Sequence, residues 1–179
     1  MNKLCRVSAL GLVALFLSLF LTSCSRGADH SVPEAICGTR IDPALTRLLL
    51  PSLEDLHEFT RVDRDEAITA PCVLLSGRQP VLEFQFSWDE TATDLMYLAT
   101  GNGTVSRVNQ PRKADFGMKA IAGTDGAIAT TRCRTKGGNY FTLTLQLPRI
   151  KPTDQSHRKD IEAFMRAYFP ATLRTMGCA

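Results

Sequence analysis

Between Val81 and Trp88 the chain alternates, with Leu82, Phe84, Phe86 and Trp88 separated by Glu83, Gln85 and Ser87. A period of two cannot serve a helix that buries one face. It requires a strand with one side against a core and the other side wetter. The same alternation returns over 139–147, where Phe141, Leu143, Leu145 and Leu147 interleave with Tyr140, Thr142, Thr144 and Gln146. Half-buried strands of this kind belong to an antiparallel sheet with a covering layer on its apolar face.

Further segments extend the sheet. Cys72 to Leu75 and Val81 to Trp88 flank SGRQP and read as a hairpin with a five-residue link. Met118 to Ala122, Ala127 to Cys133 and Asn139 to Leu147 read as a meander, and 105–108 as a weak strand. Helical signals lie at both ends. Asp42-Pro43 starts a helix carrying Leu45, Leu48 and Leu49, and Pro51 stops it. Ser52 and Asp55 suggest a capping box, with helical spacing continued by Leu53, Leu56 and Phe59. Thr93 is expected to cap a short helix ending at Gly101. Ile161, Phe164, Met165 and Tyr168 form a helical stripe, with Pro170 expected to kink or restart the helix and Gly177 to cap it. The expected fold class is therefore α+β: an antiparallel sheet of about four to six strands with helices near both ends of the domain, stapled by disulfides.

The first 23 residues are set apart by composition. They hold fifteen apolar residues, the basic pair Lys3 and Arg6, and no acid. The apolar run from Val7 to Leu21 is too short for a comfortable span of the bilayer and suits a signal-peptide core. Leu21-Thr22-Ser23-Cys24 follows and resembles the bacterial lipobox. The resemblance implies lipid attachment at Cys24 and cleavage before it. Residues 24–34 then read as a flexible tether, and 35–179 as a single domain. The formal charge of +3 falls to +1 once the two basic residues of the leader are removed, which argues against nucleic-acid binding through a broad basic face.

Four cysteines remain in the domain: Cys37, Cys72, Cys133 and Cys178. An even number in an exported domain implies disulfides. Their wide spacing, with no C-x-x-C pair, offers no metal site. Pairing in chain order, Cys37–Cys72 with Cys133–Cys178, is preferred. The alternative is Cys37–Cys178 with Cys72–Cys133.

The chain is poor in motifs that carry chemistry. Ser156-His157 with Asp160 lacks the G-x-S-x-G elbow, and Ser156 reads as a helix cap. His57 falls in the expected acidic helix. The acidic cluster Asp63, Asp65 and Glu66 has Ile68 and Leu74 where a calcium loop needs glycine and glutamate. Gly101-Asn102-Gly103 reads as a turn. A basic patch drawn from Arg107, Arg112, Lys113, Arg132, Arg134 and Lys136 would attract anionic headgroups. Trp88, Tyr97 and Tyr140 are the candidates for a ligand cleft, because each joins apolar area to a polar handle.

Several stretches together resemble the uncharacterised secreted lipoproteins of actinobacteria of the Streptomyces type. They are the lipobox at Cys24, Ile36-Cys37-Gly38, Ala70-Pro71-Cys72, Gly137 to Leu143 and Phe164 to Pro170. That family has no assigned activity and lends no catalytic or ligand-contacting residue. The resemblance implies a lipid-anchored protein on the extracytoplasmic face of the cell membrane, and no motif in the chain calls for a cofactor or metal. Its expected role is that of a non-enzymatic binding module for an envelope protein or ligand, with an envelope hydrolase or small-molecule receptor as the alternative.

Overall fold

A computed structural model describes residues 32–51, 54–62, 69–101, 107–117 and 119–178. Cys24, the expected leader and most of the expected tether lie outside them, as do the Asp63 cluster, Asn102-Gly103 and half of the weak strand expected over 105–108. No helix among the described residues is long and apolar enough to cross a membrane.

A two-stranded ribbon, β1 (Ala35–Ile36) with β2 (Thr39–Arg40), leads into α1 (Pro43–Leu49). The main sheet follows: β3 (Leu56–Thr60), β4 (Thr69–Ser76), β5 (Gln79–Asp89), β6 (Arg112–Ala114), β7 (Lys119–Ala122), β8 (Gly126–Thr135) and β9 (Gly138–Gln146). A short α2 (Leu95–Thr100) interrupts it, and α3 (Arg158–Thr175) closes the chain. The seven strands lie in the order β3-β4-β5-β9-β8-β7-β6, every neighbour antiparallel. The fold is thus an antiparallel sheet with helices and two disulfides, broader than the four to six strands expected.

The two additional edge strands account for the difference. Leu56–Thr60 was expected to be helical, because Leu53, Leu56 and Phe59 fit a spacing of three. Instead it pairs with β4 along its whole length. A five-residue run fits either period, and the adjoining strand decides. His57 accordingly sits on an edge strand and not on a helix. The β4–β5 link is also tighter than expected, a two-residue turn of Gly77 and Arg78 between the paired Ser76 and Gln79. Glycine at its first position adopts φ +59°, as a hairpin turn matching strand twist requires.

One face of the sheet is covered by α3, α1 and the ribbon. Phe84, Phe86, Trp88, Phe141, Leu143 and Leu145 meet Ile161, Phe164, Tyr168 and Phe169 there, all buried. The Tyr168 ring lies 5.0 Å from both Phe84 and Phe164, and its hydroxyl donates to the Ile36 carbonyl at 2.9 Å. That bond ties the ribbon to α3. Cys37–Cys72 joins the ribbon to β4, and Cys133–Cys178 joins β8 to the end of α3.

Local capping follows the sequence in part. Asp42 accepts from the Ala44 amide at 2.8 Å at the start of α1. Within α1 Leu49 is buried, whereas Leu48 is half exposed and Thr46 takes its expected place inward. Asp94, and not Thr93, caps α2 by accepting from Met96 and Tyr97 amides. Helix α3 runs unbroken through Pro170, and Gly177 follows its end with φ +68°. Ser156 does not cap that helix; its amide and hydroxyl both donate to Asp154.

The second face is drier than alternation implies. Thr130, Thr142 and Thr144 are fully buried rather than wet. Thr142 donates to Thr130 at 3.0 Å and Thr130 to the Phe141 carbonyl, so the hydroxyls of these two threonines are satisfied within the sheet. Beside them Leu95 and Ala99 of α2 pack on Val108, Ile121 and Ile128 as a second, smaller core.

Candidate functional site

The three aromatic residues expected to line one cleft are separated. Trp88 is 2% exposed and packs on Phe141 at 5.3 Å beneath α3. Its indole N–H has no acceptor among the described residues. Tyr97 is 77% exposed on the outer side of α2, across the sheet from Trp88. Only Tyr140 lies in a cleft. The expected basic patch is divided as well. Lys113 opposes Ile121 on the α2 side of the sheet, whereas Arg112 opposes Ala122, which belongs to the main core under α3.

What the fold assembles instead is a cleft of about 550 Å3 at the end of the β8–β9 hairpin, lined by Glu90, Arg132, Arg134, Asn139 and Tyr140 beside the Cys133–Cys178 bridge. Register builds it from the sequence upward. Tyr140 stands directly across from Asp89 of β5 and from Arg132 of β8, because β9 lies between those strands. The Arg132 Nε donates to the Tyr140 hydroxyl at 3.3 Å. Asn139 donates to the Glu90 carboxylate at 2.7 Å. That second contact depends on Gly138, where a Cβ would lie 2.6 Å from the Asp89 carbonyl oxygen. Only glycine lets β9 begin so close to the end of β5.

The lining is rich in donors. Two guanidinium groups, a phenol and a carboxamide present N–H and O–H groups suited to a carboxylate or a phosphate, with Glu90 as the one acid. Glu90 is the lining's one carboxylate and accepts from Asn139, and no histidine, serine or free thiol stands beside it. Arg132, Arg134 and Tyr140 were each legible as candidates. Glu90 and Asn139 were not, since only the Gly138 approach brings them together.

A second cleft, about 620 Å3, runs between α2 and the β6–β7 pair. Its floor includes Leu95 and Ile121, and Lys113 and Lys119 line it as well. The segment 90–94 passes between the two clefts.

Other groupings resolve into structural roles. Among the described residues Cys37, Glu58 and Cys72 form the one cluster with metal-ligand spacing, their ligand atoms within 4.8 Å. The two sulfurs are bonded to each other, and Glu58 accepts from the Cys37 amide at 2.5 Å. With thiolates absent the set is a staple, not a ligand shell. Ser156, His157 and Asp154 do not form a triad. Ser156 donates to Asp154 at 2.7 Å, and His157 Nε2 lies 3.8 Å from the same carboxylate. The Ser156 hydroxyl and amide hold the Asp154 carboxyl below its ordinary range. Glu83, half-buried between Val73 and Gln146, is the acid that burial pushes upward. It lines neither cleft.

Comparison with protein-family models, with curated proteins and with solved structures finds no match to this chain.

Proposed function

We propose that the chain is a lipid-anchored, extracytoplasmic binding module without enzymatic activity, taking an anionic group of an envelope ligand or partner protein in the β8–β9 cleft. The observation that carries this reading is the convergence of Arg132, Arg134, Asn139 and Tyr140 on one cleft whose single carboxylate, Glu90, is held by Asn139. Paired guanidinium and phenol donors recognise carboxylate and phosphate by charge-assisted hydrogen bonds, and recognition needs no further chemistry. The anchor rests on the lipobox at Cys24, and the two bridges suit an oxidising compartment.

Two measurements test it. Labelled palmitate should enter the full-length chain in producing cells and be lost in Cys24→Ala. Titration of the detergent-solubilised protein with phosphate or acetate should move the NMR signals of Tyr140 and Arg132 in a saturable way. Arg132→Gln with Arg134→Gln should abolish that response. A wild-type protein that shows no saturable shift with either anion would sink the cleft assignment.

A further inference from the structure

We infer that the α2 side of the sheet is a docking surface for a bilayer rich in anionic phospholipid, formed by Lys113, Lys119, Met96 and Tyr97. Cross-strand register carries the charge half of this inference. Lys113 opposes Ile121, and Lys119 lies two residues before Ile121 on the same strand, so both ammonium groups rise from the α2 side. Among the described residues neither lysine has an acidic partner within 4 Å. Asp94, the acid beside them, is engaged by the Met96 and Tyr97 amides.

The apolar half stands next to it. Met96 is 46% and Tyr97 77% exposed on the outer side of α2, and the groove below them is floored by Leu95 and Ile121. Large apolar side chains left in water beside unpaired lysines suit an interface whose surface is anionic and whose interior is apolar. Tyrosine settles at headgroup depth, methionine enters the acyl boundary, and lysine extends to phosphate. The other exposed apolar side chains lack that setting; Phe59, for example, lies under the Arg61 guanidinium at 5.4 Å.

The inference leans on the anchored reading only for reach. Residues 24–34 span at most ~35 Å when extended, and seven strands at ~4.8 Å spacing make a sheet ~29 Å wide. An anchor at Cys24 therefore permits this face to lie on the same membrane.

The experiment uses the mature chain from residue 24 with Cys24→Ser, which keeps the whole described fold and both bridges but carries no lipid. Sedimentation with phosphatidylcholine vesicles containing about 30 mol% phosphatidylglycerol should show binding that pure phosphatidylcholine does not. Binding should weaken as salt is raised, because exposed charges are screened. Lys113→Gln with Lys119→Gln should lower partitioning about 25-fold, at roughly fivefold for each basic residue near an anionic surface. Met96→Ser with Tyr97→Ser should lower it as well. Lys151→Gln with Lys159→Gln removes the same charge from exposed positions outside the α2 face, and should have little effect. Absence of binding, equal binding to both vesicle types, or an equal loss in the Lys151/Lys159 control would overturn the inference. Failure of the full-length wild-type chain to take up palmitate, with vesicle binding intact, would instead count against the anchor alone.

Discussion

Replacing Cys133 and Cys178 together by alanine removes the bridge between β8 and the end of α3. It closes a separation of 45 residues, for which loss of chain entropy in the unfolded state gives about 4 kcal/mol at 25 °C. The Cys37–Cys72 bridge closes 35 residues and gives nearly the same figure. Because the effect grows only with the logarithm of loop length, the two differ by about 0.2 kcal/mol on this ground. Packing breaks the tie. Cys37 and Cys72 are 1% and 0% exposed and join the main core, whereas Cys178 is only partly buried. Truncating the inner pair leaves unfilled volume worth about 1 kcal/mol more. The inner variant should therefore lose about 5 kcal/mol and the outer about 4, each a large share of the ~5–15 kcal/mol that holds a domain. Urea unfolding of both variants, followed by fluorescence of the single buried Trp88, measures the losses directly. A loss below about 2 kcal/mol in either variant would refute the chain-entropy account. So would an outer variant more damaged than the inner by over 1 kcal/mol, since burial then would not set the order.

Other expectations follow from single contacts. Tyr168→Phe keeps the aromatic packing but leaves the buried Ile36 carbonyl without its donor, and should cost about 1–3 kcal/mol. In a thermal melt that is about 3–9 °C. A melt unchanged within 1 °C would mean that the hydroxyl does not hold the ribbon. Glu83→Gln should stabilise the protein at pH 7. Burial raises the folded-state value above the ordinary 4.5, so the acid's favourable contribution is fully present below pH 4.5 and lost as pH rises through the higher value. The advantage of glutamine should therefore vanish below pH 4.5; a constant difference across pH would contradict the burial argument. Gly138→Ala should force β9 away from Asp89, costing about 1–3 kcal/mol and weakening anion titration at Tyr140. Normal stability with unaltered titration would show that the close approach is not required.

The strands that could be read from the residues are those whose composition leaves one period available. Four large apolar side chains at every second position over 82–88 admit no helical reading, and four over 141–147 repeat the case. Helix α3 was legible for the converse reason. The strand β3 was not, because Leu56 and Phe59 satisfy a spacing of three and the pairing that decides comes from β4. The strand β6, with the sequence RKA, has no apolar pattern at all. For Trp88 the alternation already held the answer. It shares the face of Leu82, Phe84 and Phe86, so the pattern that defines the strand places the ring in the core rather than in a cleft. The β8–β9 cleft lay beyond such reasoning. It depends on register across a pair that shifts between Arg132 and Thr135, and on the steric gap left by Gly138.

The order of strands divides the sheet into two runs of consecutive hairpins, 56–89 and 112–146, which meet only where β5 pairs with β9. Cys72 belongs to the first run and Cys133 to the second, and each bonds a cysteine from beyond the outer end of its own run. Neither of these two bridges crosses the seam. A chain delivered amino terminus first presents Cys37 and Cys72 to an oxidant before Cys133 emerges. With the leader removed and Cys24 acylated as proposed, the first free pair is then the native pair, and so is the second. On that route the order in which the cysteines emerge matches the native pairing, so oxidation in chain order gives both bridges without thiol–disulfide reshuffling.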